Sequence, residues 1–331
     1  MRSGNKNILM IAYLFPPIGG SGALRPLKLA KHLPRFGWTP VIHTAKNPDW
    51  YYARDPDLLN ELSTDTVLTH SAMVKASWIY RLLNPGRFKP MDRLIKRYLM
   101  HPDEQIGWLP MACRTGLKLV KQYNIKVLYS TSGPLTNHLI ARFIKARTGL
   151  PWVAEFRDEW LEDPALDFPA NCYRRFHYRL EQSIVRHADQ IVVMAPAFGD
   201  FLSKHVTSTE NFVTLPAGYD PDDFPPASPP KASAVFTIVF TGLFYDSFRP
   251  NCFLKAMNEL IAEQVIPPEK ITIRFVGANT ASDIDEPDDY GICEFTGFVS
   301  RSQATAFLME ADLTLLLLSR ERGSGVIPSK I

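Results

Sequence analysis

The stretch at residues 7–25, NILMIAYLFPPIGGSGALR, limits the fold of this chain more than any other segment. Residues 8–12 are an apolar run of the kind found in a buried strand. Pro16 and Pro17 end that strand, because proline has no N–H for a sheet ladder. The glycines that follow let the backbone approach a ligand closely, and a helix is predicted from about Ala23. The segment therefore predicts either a ligand loop at the carboxyl end of a first parallel strand or a structural tight turn.

The rest of the chain alternates strand-like and helical patterns in two blocks. The first block has strand-like runs at 8–12, 41–43, 127–130, 152–155, 191–194 and 212–215, and helical patterns at about 23–36, 107–123, 135–147, 171–187 and 197–204. The second has strand-like runs at 237–241, 272–276, 292–295 and 313–318, and helical patterns at 250–264 and 301–310. Such alternation predicts doubly wound α/β domains with mainly parallel sheets.

A proline-rich segment separates the two blocks. Residues 215–230, LPAGYDPDDFPPASPP, contain six prolines and continue neither a helix nor a central strand. The sequence therefore predicts a first domain at 1–218, a linker at 219–230 and a second domain at 231–331. The second block is short and lacks a closing helix, so we expect the second domain to be incomplete.

Charge is unevenly distributed along the chain. Residues 1–218 hold 28 Lys and Arg against 18 Asp and Glu, whereas residues 219–331 hold 9 against 16. A basic front half indicates an anionic partner or surface, unless it reflects ordinary variation between domains. The four cysteines are scattered without a C-x-x-C pair, as in a cytoplasmic protein with reduced thiols.

Basic residues are concentrated at 75–97, which contains seven Lys and Arg and one acidic residue, Asp92. At the end of this segment and just beyond it, one predicted helical face is apolar, formed by Met91, Leu94, Ile95, Tyr98 and Leu99. Basic amphipathic helices lie on anionic membranes, so residues 87–99 are a candidate membrane contact. The alternative is a helix packed on the first domain with its Lys and Arg side chains in water.

The ordered set of motifs along the chain resembles glycosyltransferase family 4, the retaining nucleotide-sugar transferases of the GT-B fold. The segments that carry the resemblance are YLFPPIGGSGALR (13–25), STSGPLTNHLIA (130–141), WVAEFRDEW (152–160), LEQSIVRHADQIVV (180–193), LPAGYDPDDF (215–224), VFTGLFY (239–245), FVGA (275–278), FTGFVSR (295–301) and VIPSK (326–330). The resemblance implies an α/β fold with two Rossmann-like domains that face a cleft.

In the first domain, the resemblance implies that a glycine loop lies near the transferred sugar and the donor phosphates. Gly19 and Gly20 match that loop, and Arg25 follows it as a candidate cleft residue. His138 lies early in the helix after STSGP, where the family places a histidine that faces the donor sugar. A solvated helix histidine is the alternative interpretation of His138.

The charged residues Glu155, Arg157 and Asp158 lie at or just after the end of the strand-like run at 152–155. Charges at the carboxyl end of a parallel strand lie in the ligand crevice of an α/β sheet. We expect these residues to bind the acceptor or to shape the cleft. An Arg157–Asp158 ion pair that pins the loop is the alternative.

In the second domain, Gly242 matches the family's glycine loop near the donor diphosphate. The chain departs from the family there, because Leu243 stands in the usual Arg place and Arg249 lies one residue beyond the usual Lys place. Arg249 and Lys330 are therefore the candidate cations for the diphosphate, and together with His138 they form the candidate catalytic set. A departing nucleoside diphosphate requires such positive charge.

The resemblance implies transfer of a sugar from a nucleotide-sugar to a glycan or lipid-linked acceptor, in surface polysaccharide assembly, without a bound metal or other cofactor. Nucleic acid is not expected as a partner. The family's E-x7-E signature is not matched before Ile331, which suggests truncation at the C-terminus and a form with little turnover. A cytoplasmic protein, peripheral at the inner face of the membrane, is expected. The alternatives are a non-catalytic sugar- or nucleotide-binding module and a sugar-nucleotide epimerase of the same fold.

Overall fold

The structure is a computed structural model, and it describes residues 6–46, 48, 53–84, 86, 89–158, 160–161, 168–203, 211–224, 234–244, 249–277 and 279–317. The chain divides into two compact units, with the boundary between Ala217 and Gly218. Of the predicted linker at 219–230, the structure describes residues 219–224, which include a 3-10 turn at Pro221–Asp223. Residues 225–230 lie outside the described residues.

The first unit contains seven strands and seven helices in the described residues. The strands are β1 (Lys6–Ile11), β2 (Trp38–Ala45), β3 (Val67–Ser71), β4 (Ile125–Thr131), β5 (Trp152–Phe156), β6 (Gln190–Val193) and β7 (Phe212–Thr214). The helices are α1 (Ser21–His32), α2 (Ala76–Leu83), α3 (Lys89–Leu99), α4 (Leu109–Gln122), α5 (Thr136–Thr148), α6 (Asn171–His187) and α7 (Pro196–Ser203).

All strands of this unit run parallel, in the order β3-β2-β1-β4-β5-β6-β7. Alternate side chains of β1 enter two different cores, as the period of two in a strand requires. Leu9 and Ile11 pack on one face, in the core that also receives α4, α5 and α6. Ile8 and Met10 pack on the other face, against Leu27 of α1. Both faces are covered, which confirms the doubly wound sheet.

Helix α1 ends earlier than the sequence pattern predicts. The predicted helix at 23–36 becomes an α-helix up to His32 and then a 3-10 turn at Leu33–Phe36. Pro34 lies in that turn and cannot donate the next α-helical hydrogen bond. Gly37 then closes the turn with a φ of 77°, in the left-handed region.

The sequence patterns did not predict β3 or α2. β3 reads VLTHS; its first three residues are only partly buried and His70 is exposed, so this edge strand lacks a clear apolar alternation. α2 has an apolar sequence, and among its described side chains Ile79 packs in a small separate cluster with Ile95 and Met100. The predicted helix at 87–99 is present as α3.

The second unit has four described parallel strands in the order β10-β9-β8-β11. They are β8 (Phe236–Thr241), β9 (Ile271–Val276), β10 (Cys293–Gly297) and β11 (Leu313–Thr314), accompanied by α8 (Asn251–Ala262) and α9 (Arg301–Glu310). Its core joins β8 and β9 to α8 through Phe240, Phe275 and Leu254. The predicted strand at 313–318 pairs with β8 only at its first two residues, so it is shorter than expected, and Leu318 lies outside the described residues.

Candidate functional site

The two sheets reverse their strand order at equivalent points. In the first unit the reversal lies between β1 and β4, and in the second between β8 and β11. Ligands of open α/β sheets bind outside the carboxyl ends of strands at such a reversal. The predicted glycine loop follows β1, and the predicted STSGP segment follows β4, so the first sheet brings these two segments to neighbouring strand ends.

The glycine loop after β1 is tied to the segment before the 3-10 turn at Pro56–Glu61. Gly19 donates its backbone N–H to Ala53 at 2.8 Å, and Ile18 forms a bridge with Arg54. Gly20 then precedes α1 with a φ of 88°, a conformation that favours glycine, and a Cβ there would meet no atom within 4 Å. Gly20 is the N-cap residue of α1, and within the described residues it provides no side-chain cap. Gly20 is therefore required by the backbone geometry, and the space beside it is open.

Glu155, at the end of β5, is a buried acceptor of three hydrogen bonds. Its side chain is 1% exposed. One carboxylate oxygen accepts from Arg25 Nε at 2.7 Å, and the other accepts from Tyr129 at 2.5 Å and Thr131 at 2.8 Å. The pKa of Tyr129 is raised well above its usual value, mainly because the side chain is buried and secondly because the Glu155 carboxylate is negatively charged. The remaining Arg25 donors bind the carbonyls of Leu215 and Pro216. Arg25 and Glu155 thus link α1, β4, β5 and the end of the first unit.

Arg157 binds backbone carbonyls on both sides of the strand reversal, in the loop after β4 and in the first turn of α1. Its guanidinium donates to the Ser132 carbonyl at 2.6 and 2.9 Å and to the Gly22 carbonyl at 2.6 Å. Its backbone N–H also binds the Ser132 hydroxyl. The described residues contain no Arg157–Asp158 ion pair, and Asp158 is exposed. The alternative of that ion pair is wrong, because Arg157 pins the loops through carbonyls.

His138, in the first turn of α5, is fully buried, so the alternative of a solvated helix histidine is wrong. Its Nδ1 lies 2.8 Å from the Ser130 hydroxyl, and its ring packs on Phe156 with centroids 4.7 Å apart. Its Nε2 has no hydrogen-bond partner among the described residues. The pKa of His138 is lowered to about 3, mainly because the ring is buried and secondly because of the positive charge of Arg157. The imidazole is therefore neutral at physiological pH, with one nitrogen unpaired.

The N-terminus of α5 is capped from a distance by Asp103. The carboxylate of Asp103 accepts from the Thr136 backbone N–H at 2.8 Å and from the Thr136 hydroxyl at 2.6 Å. The neighbouring Asn137 donates to the Thr131 carbonyl at 2.8 Å, but its side-chain oxygen is buried without a partner among the described residues. An unpaired acceptor and an unpaired imidazole nitrogen thus occur on successive residues, Asn137 and His138.

In the second unit, glycines follow three neighbouring strands. Gly242, Gly277 and Gly297 lie at the carboxyl ends of β8, β9 and β10, and all three have positive φ. A Cβ on Gly277 would approach the Gly242 carbonyl to 2.2 Å, so this close approach requires glycine. Asn279 holds the Gly242 loop, because its side chain donates to the Gly242 carbonyl at 2.6 Å and accepts from Phe244 N–H at 2.8 Å.

The candidate diphosphate cations are only partly described. Arg249 pairs with Asp285, with its Nη1 2.9 and 3.0 Å from the two carboxylate oxygens. Asn251 adds a hydrogen bond to the same carboxylate. Leu243, in the place of the family's arginine, is exposed. Lys330 lies outside the described residues, and the assignment of all these site residues remains a prediction.

Helices α2 and α3 expose a set of large apolar side chains, which we name the α2–α3 surface. It comprises Trp78, Leu82 and Leu83 of α2 and Met91, Leu94, Tyr98 and Leu99 of α3, each 41–81% exposed. Of the predicted apolar face of α3, only Ile95 is buried. The exposed basic residues Arg81, Arg93 and Arg97 lie on the same two helices. In the described part of the chain, no helix combines the length and the hydropathy required to span a bilayer.

Sequence reasoning identified the loops but missed the residues that organise them. Ser130, Tyr129, Thr131 and Asn279 form the contacts that fix His138, Glu155 and the Gly242 loop. Ser130 and Thr131 lie inside the quoted STSGP motif, so their position at a strand end was an available signal. Asp103 has no such signal, because its contact with α5 spans 33 residues.

Several solved structures are similar in fold to this chain. HepE from Anabaena, in complex with UDP and glucose, is 12% identical with a TM-score of 0.55 over 93% of this chain and 73% of its own. A glycosyltransferase from Rickettsia africae ESF-5 is 14% identical with a TM-score of 0.55, over 93% and 72%. A protein assigned as a UDP-N-acetylglucosamine 2-epimerase from Listeria monocytogenes is 10% identical with a TM-score of 0.51, over 94% and 73%. At these identities the likeness shows the GT-B fold.

The comparison by sequence points to the same group of proteins. No curated protein is significantly similar to the chain. The model of the glycosyl transferase 4-like domain matches residues 20–218, which include Gly20, His138 and Glu155. Because this match extends over more than half of the sequence, the chain belongs to the glycosyl transferase 4-like domain family.

Proposed function

We propose that this protein is a retaining glycosyltransferase of family 4 that transfers a hexose from a nucleotide-sugar to a glycan or lipid-linked acceptor in surface polysaccharide assembly. The observation that carries the proposal is the buried, neutral His138 with an unpaired Nε2, next to the unpaired side-chain oxygen of Asn137. Buried polar groups are normally hydrogen-bonded, so an unpaired pair at a strand reversal is an expected place for ligand hydroxyls.

The first unit binds the transferred sugar and the acceptor in this proposal. The uncapped first turn of α1 offers backbone N–H groups to an anionic group, beside the open space at Gly20. Gly19 shapes the same loop through its bond to Ala53. Asp158, exposed after β5, remains a candidate acceptor contact, whereas Arg25, Glu155 and Arg157 act by holding the loops in place.

The second unit binds the nucleoside diphosphate in this proposal, without a metal ion. Gly242, held by Asn279, supplies the close backbone approach, and Arg249 supplies charge. Arg249 must exchange Asp285 for the diphosphate, because the carboxylate occupies the guanidinium. Lys330 is the second candidate cation.

Calorimetric titration with UDP tests this assignment through two variants of opposite sign. Arg249→Ala should weaken binding by roughly 1.5–3 kcal/mol, the loss of a charge-assisted hydrogen bond. Asp285→Asn should tighten binding, because it removes the carboxylate that competes for Arg249. Arg274→Ala is the matched control, since Arg274 forms a similar exposed pair with Glu294 on the same unit. Equal UDP affinity in all three variants would refute the role of Arg249.

The transferase proposal is separated from its alternatives by product analysis. Incubation with a UDP-hexose and a lipid-linked glycan acceptor should give a glycosylated acceptor with retained anomeric configuration. The similarity to the Listeria monocytogenes protein favours epimerisation as the second candidate. An epimerised nucleotide-sugar formed without acceptor would support that candidate, and binding without any product would support a non-catalytic module.

The location of the protein follows from the α2–α3 surface in this proposal. Exposed apolar side chains beside arginines match an anionic bilayer, where apolar groups enter the interface and basic groups meet lipid headgroups. Packing on the first unit would instead bury the apolar face of α3, and four of its five members are exposed. We therefore propose a cytoplasmic protein that is peripheral at the inner face of the membrane, where lipid-linked acceptors are available.

A further inference from the structure

A tryptophan, a serine and a histidine form the same buried arrangement twice in the first unit. In the first copy, the Trp108 indole N–H donates to Ser71 at 2.8 Å, and Ser71 lies 3.0 Å from His43 Nε2. His43 Nδ1 lies 3.1 Å from the Thr69 hydroxyl, which donates to the Ile42 carbonyl. Thr69 must then accept from His43 Nδ1, and Ser71 must donate to Nε2. Every polar atom of this copy has a partner within the protein, so it is a closed structural network.

The second copy consists of Trp152, Ser130 and His138, and it is open at one end. The Trp152 indole N–H donates to the Ser130 hydroxyl at 2.8 Å. Since the described residues offer the Ser130 proton no other acceptor, it goes to His138 Nδ1 at 2.8 Å. A neutral imidazole with an accepting Nδ1 carries its proton on Nε2. That N–H is the atom of His138 left without a partner in the described residues.

We propose that Ser130, oriented by Trp152, is a positioning residue that holds His138 in the Nε2–H tautomer and thereby presents a hydrogen-bond donor to an oxygen of the sugar substrate. The difference between the two copies carries the proposal. In the first copy, Thr69 pairs with the ring nitrogen of His43 that the serine does not bind. In the second copy, the corresponding nitrogen, Nε2 of His138, is a buried donor without a partner in the described residues. The inference rests on the proposed function, because that function supplies the sugar oxygen.

The neighbouring residue defines the class of ligand group. The unpaired Asn137 oxygen accepts a hydrogen bond, and His138 Nε2–H donates one. A hydroxyl group does both, whereas a phosphate or carboxylate oxygen only accepts at neutral pH. A sugar hydroxyl can therefore satisfy either of these buried groups, whereas a diphosphate oxygen could satisfy only the His138 donor. With the pKa of His138 lowered to about 3 by burial, the ring donates as a neutral group and takes no part as a general acid.

Nitrogen-15 NMR of the histidine rings tests the tautomer directly, independently of activity. In the wild-type chain we expect His138 to show a protonated Nε2 and an unprotonated Nδ1. In Ser130→Ala this signature should give way to a mixture of tautomers, and the affinity for UDP-glucose should fall about three- to tenfold, as for one lost hydrogen bond. UDP affinity should stay constant, because UDP lacks the sugar.

Two further variants separate positioning from general damage to the core. Trp152→Phe keeps an aromatic side chain and the Ser130 hydroxyl but removes the indole N–H that orients this hydroxyl, so the tautomer of His138 should become less uniform even if Ser130→Ala does not fold. Ser71→Ala makes the same deletion in the closed copy, and it should lower stability without changing the His138 signature or UDP-glucose affinity.

The possible failures are distinguishable. A protonated Nδ1 on wild-type His138, or an unchanged signature and affinity in both Ser130→Ala and Trp152→Phe, would overturn the positioning role alone. Wild-type His138 could instead show the expected tautomer while the protein binds neither UDP-glucose nor another UDP-hexose. That result would refute the proposed function and, with it, the sugar as the ligand of His138.

Discussion

Replacement of Glu155 by alanine tests whether the residues at the end of β5 support the fold or take part in the reaction. The Glu155 side chain is 1% exposed and accepts hydrogen bonds from Arg25, Tyr129 and Thr131. Its removal leaves the partly buried Arg25 guanidinium without its counter-ion and two buried hydroxyls without their acceptor. We therefore expect a loss of folding stability, rather than a loss confined to turnover.

The magnitude follows from the burial of the pair. Breaking a buried ion pair on one side costs about 3–5 kcal/mol, because an uncompensated charge stays behind. Arg25→Met should cost a similar amount, since it leaves the Glu155 carboxylate buried. The double variant should cost less than the sum of the two single variants by roughly 0.5–3 kcal/mol, the usual coupling energy for residues in one network.

Urea unfolding followed by tryptophan fluorescence is the suitable assay. All six tryptophans lie at positions 38–160, so the signal reports on the first unit alone. Glu104→Ala is the matched control, because Glu104 forms a 2.6 Å ion pair with Lys96, whose side chain is 65% exposed. Because the Lys96 side chain is largely in solvent, that pair should contribute less than about 1 kcal/mol. If Glu155→Ala unfolds like the control variant but abolishes sugar transfer, then Glu155 belongs to the reaction and our structural reasoning fails.

Two further predictions concern pH and lipid. Burial lowers the pKa of His43 to about 4 from 6.5, so between pH 6.5 and 4 the unfolded chain binds a proton that the native chain does not. The free energy of unfolding should therefore fall as pH decreases through this window, by up to about 1.4 kcal/mol per pH unit for this residue. In urea titrations at several pH values, the unfolding free energy of His43→Phe should depend less steeply on pH than that of the wild type. Arg93→Gln with Arg97→Gln should weaken sedimentation with anionic vesicles by about 1 kcal/mol per residue, while Trp78→Ser should weaken binding to neutral vesicles as well. Equal pelleting of all forms would remove the membrane role.

The sequence predicted well those elements whose signals are local. Helices α6 and α9 begin and end where their periodicity predicted, at 171–187 and 301–310. The loops that follow β1 and β4 were also predicted, because apolar strands, loops and helices alternate in a regular order, whereas the strand order came from the structure. β3 was missed, since VLTHS mixes apolar and polar residues on an edge strand.

Side-chain partners were less predictable, because they depend on contacts between distant parts of the chain. Arg25 was expected in a cleft, yet its guanidinium binds Glu155, 130 residues away. Arg249 was expected to meet a diphosphate, and the structure pairs it with Asp285, 36 residues away. Charge and motif order indicate which residues lie at the strand ends. They do not indicate which of them neutralise one another.

The position of β1 in the middle of its sheet has a consequence for how the chain is made. β1 pairs with β2, which follows soon after it, and with β4, whose register places Ile8 opposite Val127. During synthesis the first strand therefore presents an unpaired apolar edge until β4 has emerged, and contacts between distant residues form slowly. The nascent first unit must be protected from aggregation over this interval. Variants that weaken β4 should consequently reduce the yield of folded protein more than variants of equal cost in α7.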